Sequence, residues 1–436
     1  NYTEIPKKKI FKFFKKKIAD SFNYYDTKKI YTPLYNFNLF KQIIKFMSYI
    51  SYIFIFRKIT NIKTVNKNII IDHIESEDVY LRYTKLIKLF KKENVSVIIP
   101  NKNKIYDSKV SIINKLRFKG YIISVIEYIK LLRMLLRLIN LSLNSKFNFL
   151  LLTINFLDDY YYYNTIFKQI KSKFLINHQH YHSNVIKNFL FKKNGGVCSA
   201  IIEKNIYELG KIGFYYDADL YLTIGREDFK RSLAYGGEFN SIKPVGSFFM
   251  ESSWYNNYHI HKNNFKEYDI VLIGLVYIEW QNTYDQYKKT YYSQYYWLKK
   301  IKKEFKDLSI CIVFQKSRVL DNKTIRILKD TGIDLIIPEN LYTGYGLCIN
   351  AKINLCSGST LGFEILGSGK ECYLLDEEKR NKTFFSNEKY LDVIRLCSYE
   401  ELRACIKNKF INKKNNFKEK INKENFCIES KETSKN

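Results

Sequence analysis

The chain has 436 residues, enough for two ordinary domains, and 46% of them are hydrophobic. This content excludes a globally disordered protein, because it supplies apolar material for two buried cores. The formal net charge of +30 invites a nucleic-acid-binding function, but Lys, Asn, Ile, Tyr and Phe are enriched together while Ala, Gly and Pro are scarce. Such a composition is typical of an AT-rich genome, and it accounts for most of the lysine excess.

Residues 1–65 are a basic, aromatic N-terminal extension. They contain no long apolar run followed by a small-residue cleavage site, so we predict no signal peptide. The longest apolar stretch there, 46–56, is too short to span a bilayer. The eight cysteines of the chain show neither CxxC pairs nor metal-ligand spacing. This cysteine pattern is typical of a reduced, cytosolic protein.

Residues 66–245 alternate strand and helix signals. The predicted strands are 68–72, 95–100, 121–125, 147–154, 174–177 and 219–224, and the predicted helices are 80–92, 128–143 and 161–171. The strands read as continuous apolar runs, with helical patterns between many of them. Continuous runs of this kind favour parallel strands that are covered on both faces of the sheet.

Residues 246–407 repeat this alternation. The predicted strands here are 269–275, 308–314, 334–338, 353–356 and 371–375. The whole pattern predicts an α/β protein with two doubly wound, Rossmann-like domains that face a cleft and join near Pro244. Residues 408–436 form a basic C-terminal tail, which we predict to be a docking helix that ends in disorder.

The segment 353–376, INLCSGSTLGFEILGSGKECYLLD, is the most informative part of the sequence. It predicts a buried strand, a turn of small residues, a helix that begins at Thr360 and a second buried strand. The turn residues are Ser357, Gly358 and Ser359. Backbone N–H groups and the helix dipole converge at such a turn, which suits a bound phosphate. Glu364 lies one helical turn further on the same face, where its carboxylate would accept a hydrogen bond from a sugar hydroxyl.

This segment indicates a nucleotide-activated donor rather than a nucleic acid. A plain helix cap with a tight turn is the alternative for Ser357, Ser359 and Thr360. For Glu364 the alternative is a solvated helix glutamate, although its neighbours are apolar.

Three further donor-side candidates lie at or just after the carboxyl ends of predicted strands of the second domain, where ligands bind in open α/β sheets. They are Gly274, Lys316 and Arg318. The two cations would neutralise a leaving phosphate or diphosphate, and Gly274 would let a loop approach the donor closely. The alternatives are an exposed basic loop and an ordinary turn glycine. Because no DxD pair is placed to hold a metal, we expect neither a metal ion nor a cofactor, with the nucleotide-sugar as a substrate.

Several stretches resemble a known group of enzymes when they are taken as an ordered set. They are NHQHYHSN (177–184), DADLYLTIGREDFKRSLAYGG (217–237), IKPVGS (242–247), ICIVFQKSR (310–318) and the segment 353–376. Across about 175–376 the chain resembles the GT-B glycosyltransferases, in particular the bacterial surface-polysaccharide and capsule transferases related to the glycerophosphotransferases of teichoic acid synthesis. The resemblance implies a second domain that holds the nucleotide sugar and a first domain that holds the acceptor. Many relatives have Gln-His-Gly where this chain has Gln-His-Tyr at 179–181.

An inverting transfer needs a carboxylate or an imidazole to take the proton of the acceptor hydroxyl. His180 is the first candidate, within a cluster just past a strand of the first domain whose other members are His178 and His182. Asp72 and Glu75 are the second candidates, together with His73 between them. They lie in a loop that carries the base in many similar enzymes. Asp158 and Asp159 are the third, and the sequence leaves these alternatives open.

Two basic amphipathic segments favour contact with an anionic membrane surface. In 7–22, one helical stripe carries Phe11, Phe14, Ile18 and Phe22, and lysines occupy the other face. In 128–144, one stripe carries Lys130, Arg133 and Arg137 among leucines on the remaining faces. An ordinary sheet-covering helix with a basic exposed face is the alternative for 128–144. A lipid-linked acceptor would account for both segments.

Together these features predict a cytoplasmic glycosyltransferase, peripheral at the inner face of the cytoplasmic membrane. Its acceptor would be lipid-linked or a surface glycan such as lipopolysaccharide or capsule. One alternative keeps the fold and changes the reaction, as in a nucleotide-sugar epimerase or a polyol-phosphate transferase. The other is a non-catalytic nucleic-acid- or membrane-binding protein. We expect no nucleic-acid partner, because the sequence has no Arg-rich or aromatic-interleaved module.

Overall fold

The computed structural model describes residues 5–23, 38–55, 65–74, 76–99, 110–114, 125–145, 147–178, 184–201, 217–226, 237–259, 265–274, 288–314, 320–338, 341–357, 359–379, 392–413, 424 and 427. The strands in these ranges are β1 (Val65–Asp72), β2 (Val95–Ile99), β3 (Ser111–Asn114), β4 (Ile170–Asn177), β5 (Val197–Ile201), β6 (Asp217–Thr223), β7 (Glu238–Pro244), β8 (Ile270–Ile273), β9 (Ile310–Val313), β10 (Asp334–Ile336), β11 (Ile353–Cys356), β12 (Cys372–Leu375) and β13 (Arg395–Leu396).

The helices in the same ranges are α1 (Lys7–Asn23), α2 (Leu39–Ile55), α3 (Glu77–Leu81), α4 (Thr84–Leu89), α5 (Val125–Ser145), α6 (Phe149–Gln169), α7 (Val185–Lys193), α8 (Phe248–His259), α9 (Lys288–Glu304), α10 (Asn322–Leu328), α11 (Leu341–Asn350), α12 (Thr360–Gly367) and α13 (Tyr399–Phe410). None of these helices is both long enough and apolar enough to cross a bilayer.

The strands form two parallel sheets. The first has the order β3-β2-β1-β4-β5-β6-β7, and the second has the order β10-β9-β8-β11-β12-β13. In each sheet the chain builds outward from its first strand to one edge and then crosses back to the other side of that strand. The predicted fold class, two doubly wound Rossmann-like domains, is confirmed. The order reverses between β1 and β4 in the first sheet and between β8 and β11 in the second.

The continuous apolar runs form strands because both faces of each sheet are covered. Every residue of β2, β8, β9 and β11 is buried. In the first domain, Ile70, Ile98 and Leu175 of the sheet share one core with α2, α5 and α6. A strand that is buried on both faces has no polar side, which explains the absence of polar alternation in its sequence.

The prediction of a strand at 147–154 is wrong, because residues 149–154 belong to α6. The side chain of Asn148 caps the helix and accepts a hydrogen bond from the backbone N–H of Leu151 at 3.0 Å. The helix lies between the sheet and the α2 and α5 layer, so most of its residues are buried on all sides. An apolar run that is buried all round has no period, and periodicity cannot distinguish such a helix from a strand.

Two other predicted elements of the first domain also differ. The predicted helix 80–92 is divided into α3 and α4, with Arg82 and Tyr83 between them. The predicted strand 121–125 lies outside the described residues apart from Val125, and Val125 begins the helix α5.

Ion pairs connect helix α1 to the first domain. Lys9 pairs with Asp217, and the Lys12 ammonium lies 3.3 Å from a carboxylate oxygen of Glu238. Asp217 and Glu238 are the first residues of β6 and β7. Burial lowers the pKa of Lys12 to about 8, although the neighbouring Glu238 acts in the opposite direction. The basic face of α1 therefore contacts the edge of the sheet.

The aromatic side chains of α1 have partners within the protein. Phe13 is buried, and the Phe14 ring centroid lies 6.0 Å from that of Phe149 in α6. Phe11 remains 61% exposed. The sequence predicts that Phe14 belongs to a helical stripe that contacts a membrane. In the structure Phe14 packs against the first-domain core instead, so this prediction is wrong for Phe14. The side chains of Ile18 and Phe22 are outside the described part of the chain.

Helix α8 connects the two domains. It begins four residues after β7, and the ring centroid of Phe249 lies 4.5 Å from that of Tyr345 in α11. On its other side, the Ser252 hydroxyl donates a hydrogen bond to the backbone carbonyl of Arg82 at 2.6 Å. The same helix thus contacts the first domain near α4 and the second domain at α11.

Cys427 contacts both domains. Cys427 is fully buried in a cluster with first-domain side chains that include Ala218 and Tyr221. A Cβ atom on Gly367, at the end of α12, would overlap Cys427. A side chain at position 367 would therefore clash with Cys427, which explains the glycine there.

Candidate active site

The second-domain reversal point lies between the carboxyl ends of β8 and β11. Ile273 and Cys356 are paired in register there, so Gly274 and Ser357 follow on neighbouring strands. A Cβ on Gly274 would lie 2.8 Å from side-chain atoms of Ile312 and Phe314. The structure therefore shows a packing reason for this glycine. Ligands of doubly wound sheets bind at such a reversal point.

The predicted phosphate turn connects β11 to α12. Ser357 is buried, and its hydroxyl donates a hydrogen bond to the Gln294 side-chain carbonyl at 3.2 Å. Ser359 precedes the helix with an extended backbone, and its side chain makes no capping hydrogen bond to α12. The hydroxyl of Ser357 thus points to α9, whereas Ser359 contacts α12 through its backbone carbonyl, which accepts a hydrogen bond from the Gly362 N–H at 3.0 Å. Gly358 lies outside the described residues.

Glu364 is buried at the boundary between the domains. The Ser247 hydroxyl donates a hydrogen bond to one carboxylate oxygen, and the Tyr345 hydroxyl donates to the other. Burial raises the pKa of the Glu364 carboxyl to about 7, although these two hydrogen bonds and the charge of Arg82 act in the opposite direction. The carboxylate therefore contacts protein groups from β7–α8 and α11 in this conformation.

The first-domain reversal point lies between β1 and β4, where Asp72 and Asn177 are paired in register. Asp72 is buried and forms an ion pair with Lys187 of α7, which has no exposed surface. His73 follows with φ of 66°, a left-handed conformation that turns the chain sharply. Asp72 thus lies where the sequence predicted it, but its carboxylate has a buried cationic partner.

Two aromatic residues link this point to α8. The Tyr83 hydroxyl lies 2.5 Å from Nδ1 of His178, the residue that follows β4. The Tyr83 ring centroid also lies 5.9 Å from that of Phe248, the first residue of α8. Ser247, which donates to Glu364, immediately precedes Phe248 in the chain. A continuous set of contacts therefore connects the end of β4 with α12.

Other predicted residues lie outside the described part of the chain or away from this region. His180, Glu75, Lys316 and Arg318 are outside the described residues. Asp158 and Asp159, the third choice for the base, lie within α6 and not after a strand. Asp159 accepts a hydrogen bond from Asn184 at 2.7 Å, and Asp158 accepts one from Tyr49 at 3.3 Å. These two carboxylates stabilise the helical layer.

Sequence reasoning missed four residues that the structure brings to the site. They are Tyr83, Lys187, Gln294 and Tyr345. Each lies on a helix or a connection that is separated from its partner by 19 to 115 positions, so no local spacing marks it. Among the described residues, no group of three or more His, Cys, Asp or Glu side chains could hold a metal ion.

No protein-family model matches the sequence, and no curated protein matches it. Among solved structures, the chain is similar to a protein of Listeria monocytogenes assigned as a UDP-N-acetylglucosamine 2-epimerase, with 12% identity, a TM-score of 0.53, and coverage of 85% of this chain and 94% of that one. It is also similar to the UDP-GlcNAc 2-epimerase of Neisseria meningitidis bound to UDP-GlcNAc, with 10% identity, a TM-score of 0.51, and coverage of 85% and 98%. The chain has the GT-B fold.

The wall teichoic acid polymerase TagF aligns over 91% of this chain and 94% of that one, with 10% identity and a TM-score of 0.48. The two parallel sheets, together with the similar structures whose TM-scores exceed 0.5, confirm the GT-B architecture implied by the sequence resemblance. At such identities the similarity establishes the fold, and the chemistry has to be argued from the residues of this chain.

Proposed function

We propose that this protein is a glycosyltransferase that moves a sugar from a nucleotide-sugar donor to a lipid-linked or surface-glycan acceptor. The observation that supports this most directly is the contact path between the two reversal points. His178 contacts Tyr83, Tyr83 contacts Phe248, and the adjacent Ser247 contacts Glu364. A donor at the second-domain turn and an acceptor at the first-domain loop would meet along this path.

On the donor side, the phosphates would bind the N–H groups at the start of α12, with the hydroxyls of Ser359 and Thr360 as further donors. Lys316 and Arg318 would neutralise the leaving nucleoside diphosphate. The Neisseria protein of the same fold was solved with UDP-GlcNAc, which makes a nucleotide sugar a reasonable ligand class for this chain.

The role proposed for Glu364 carries a structural condition. Both of its carboxylate oxygens already accept hydrogen bonds, from Ser247 and Tyr345. Each oxygen could accept a second hydrogen bond, but the side chain is buried, so a sugar hydroxyl would reach it only if the packing around it opened. Because Ser247 belongs to the connection between the domains, replacing its hydrogen bond with one from a sugar hydroxyl would accompany a change in the angle between them.

On the acceptor side, an inverting transfer would remove the proton of the acceptor hydroxyl as its oxygen attacks the anomeric carbon and the bond to phosphate breaks. We assign the base to His180, with Glu75 and Asp72 as the alternatives. Asp72 is the weaker alternative, because its buried ion pair with Lys187 would have to open before it accepted a proton. Cleft closure would exclude water and favour transfer over hydrolysis.

A nucleotide-sugar epimerase is the second candidate, because similar structures with TM-scores above 0.5 include two that carry that description. An epimerase acts on the nucleotide sugar alone and needs no acceptor. A polyol-phosphate transferase would use the same turn for a different donor. The reaction with no acceptor present therefore distinguishes the first two candidates.

The first experiment measures thermal shifts of the full chain with UDP, GDP, CDP, CMP and dTDP. We expect a shift with a subset of these nucleotides and its loss in Ser359→Ala. Ser368→Ala is the matched control, because Ser368 lies at the opposite end of α12 and donates to the Ile365 carbonyl. A folded protein that responds to no nucleotide would refute the proposal.

NMR of UDP-GlcNAc incubated with the protein then separates the reactions. Inversion at C2 without an acceptor would identify an epimerase. Release of nucleoside diphosphate that depends on an added lipid-linked or glycan acceptor would identify a transferase.

A further inference from the structure

The outward faces of α2 and α5 expose large apolar side chains. Leu136 is 76% exposed, Phe40 is 72% exposed and Ile126 is 65% exposed. Further apolar side chains of the two helices with large exposed areas are Ile44, Val125, Ile129, Leu141 and Leu143. Single exposed apolar residues are ordinary on a protein surface, but a set of this size on two helices marks an interaction site.

The two helices form one layer and are fixed in place by their inner faces. The rings of Phe54 in α2 and Tyr128 in α5 stack with centroids 4.7 Å apart. Ile50 and Leu131 are fully buried in the same core as α6 and the first sheet. Because the inner faces already have partners, the exposed side chains belong to an outer surface that the described residues of the domain leave uncovered.

Cations are interleaved with these apolar side chains. The exposed cations of the two helices are Lys41, Lys45, Lys130, Arg133 and Arg137. Within the described residues of α2 and α5, the one carboxylate is Glu127, which is half-buried. On α5 the exposed residues 126, 129, 130, 133, 136 and 137 recur at helical spacing, so apolar and cationic groups share one stripe.

We propose that this α2–α5 face docks on an anionic phospholipid surface. The cations would contact lipid phosphates, and the apolar side chains would enter the boundary between headgroups and acyl chains. A second copy of the chain fits this face poorly, because a two-fold contact would place cations against cations. This docking face would bring the proposed active site to a membrane that holds a lipid-linked acceptor. The docking itself does not depend on which reaction the site performs.

The test is co-sedimentation of the full chain with vesicles of phosphatidylcholine alone or mixed with phosphatidylglycerol. One variant removes the cations, as Lys130→Gln, Arg133→Gln and Arg137→Gln. A second removes apolar groups, as Ile126→Gln, Ile129→Gln and Leu136→Gln. The control variant removes three exposed cations from the second domain, as Lys299→Gln, Lys303→Gln and Arg326→Gln. All nine positions are on the surface, and circular dichroism checks that each variant folds.

We expect the wild-type chain to bind the anionic vesicles and not the neutral ones. Each cation at the surface contributes about fivefold to partitioning, so the first variant should bind roughly 100-fold more weakly. The apolar variant should also lose binding, while the control variant keeps most of it. Equal losses in the control and the first variant would refute the docking face, because they would show attraction by net charge alone.

Two other results would also overturn the proposal. The first is a wild-type chain that ignores anionic vesicles. The second is a wild-type dimer, measured by light scattering, that the apolar variant dissociates, since the face would then join two copies. Thermal shifts with nucleotides are measured on the same variants, so a failure of docking is distinguishable from a failure of the proposed function.

Discussion

Ser247 donates a hydrogen bond across the domain boundary to the buried carboxylate of Glu364. Ser247 lies between the last strand of the first domain and α8, and Glu364 lies one turn into the helix that follows the phosphate turn. The same Ser247 hydroxyl accepts a hydrogen bond from the backbone N–H of Met250 at 3.1 Å, which fixes the first turn of α8. The orientation of the candidate donor site is therefore coupled to the connection between the domains.

Glu364→Gln should change how stability depends on pH. Burial raises the pKa of Glu364 from the ordinary glutamate value of 4.5 to about 7 in the folded protein. The folded state thus binds the proton more tightly than the unfolded state, so the wild-type free energy of unfolding falls as pH rises from 4.5 to 7. Relative to Glu364→Gln, we expect a loss of about 3 kcal/mol across this range and no further change above it. Urea unfolding of both proteins at several pH values measures their free energies of unfolding. A wild-type value that stays constant or rises relative to that of Glu364→Gln between pH 4.5 and 7 would contradict the prediction.

Gly362→Ala should destabilise the protein by about 1–3 kcal/mol, because a methyl group there would overlap the Sγ of Cys356. The helix α12 packs this closely on β11, and a shift of α12 would also displace Ser359. Cys356→Ala removes the sulfur, so the double variant should recover part of the loss. Unfolding free energies of the four proteins give the coupling, and strict additivity would show that the two positions do not meet.

The sequence predicted the second domain well for a physical reason. Its strands β8, β9 and β11 are short apolar runs that are bounded by turns, and the Ser-Gly-Ser-Thr turn marks a strand-to-helix connection. In the first domain, the apolar run at 147–154 is part of a helix that is buried on all sides, and the local pattern contains no information on that burial. The contacts made by Tyr83, Lys187 and Tyr345 depend on how distant segments pack, which spacing along the chain does not encode.

The position of Asp72 was predictable, whereas its partner was not. Asp72 follows an apolar strand, and that places it at the carboxyl edge of the sheet. Lys187 lies in the first turn of α7, whose N-terminal cap is the side chain of Asn184. In a chain with so many lysines, nothing in the local sequence indicates that Lys187 is fully buried.

Lys187→Met should destabilise the protein by about 3–5 kcal/mol, because it leaves the carboxylate of Asp72 buried without its cation. Asp72→Asn in the same chain removes the remaining charge, so the double variant should be more stable than Lys187→Met alone. Chemical denaturation of the set measures this. A double variant that is less stable than Lys187→Met would argue against a direct ion pair.

Ser357→Ala should mainly reduce stability, whereas Ser359→Ala should mainly reduce nucleotide binding, although the two positions are only two residues apart. The Ser357 hydroxyl is buried against Gln294, so its loss should reduce the free energy of unfolding by about 1 kcal/mol and leave the nucleotide-induced thermal shift in place. Ser359→Ala should leave stability nearly unchanged and reduce the thermal shift. Thermal melts with and without nucleotide measure both effects. If Ser357→Ala lost the nucleotide-induced shift and Ser359→Ala kept it, Ser357 and not Ser359 would be the nucleotide-binding serine.

The position of Cys427 has a consequence for how the protein is made. Its side chain completes a cluster with Ala218 and Tyr221, residues that leave the ribosome about 200 positions earlier. During synthesis part of the apolar surface of the first domain therefore stays exposed until residue 427 has emerged from the ribosome. Fragments that end before this position should expose that surface and associate with chaperones, even when both sheets are complete.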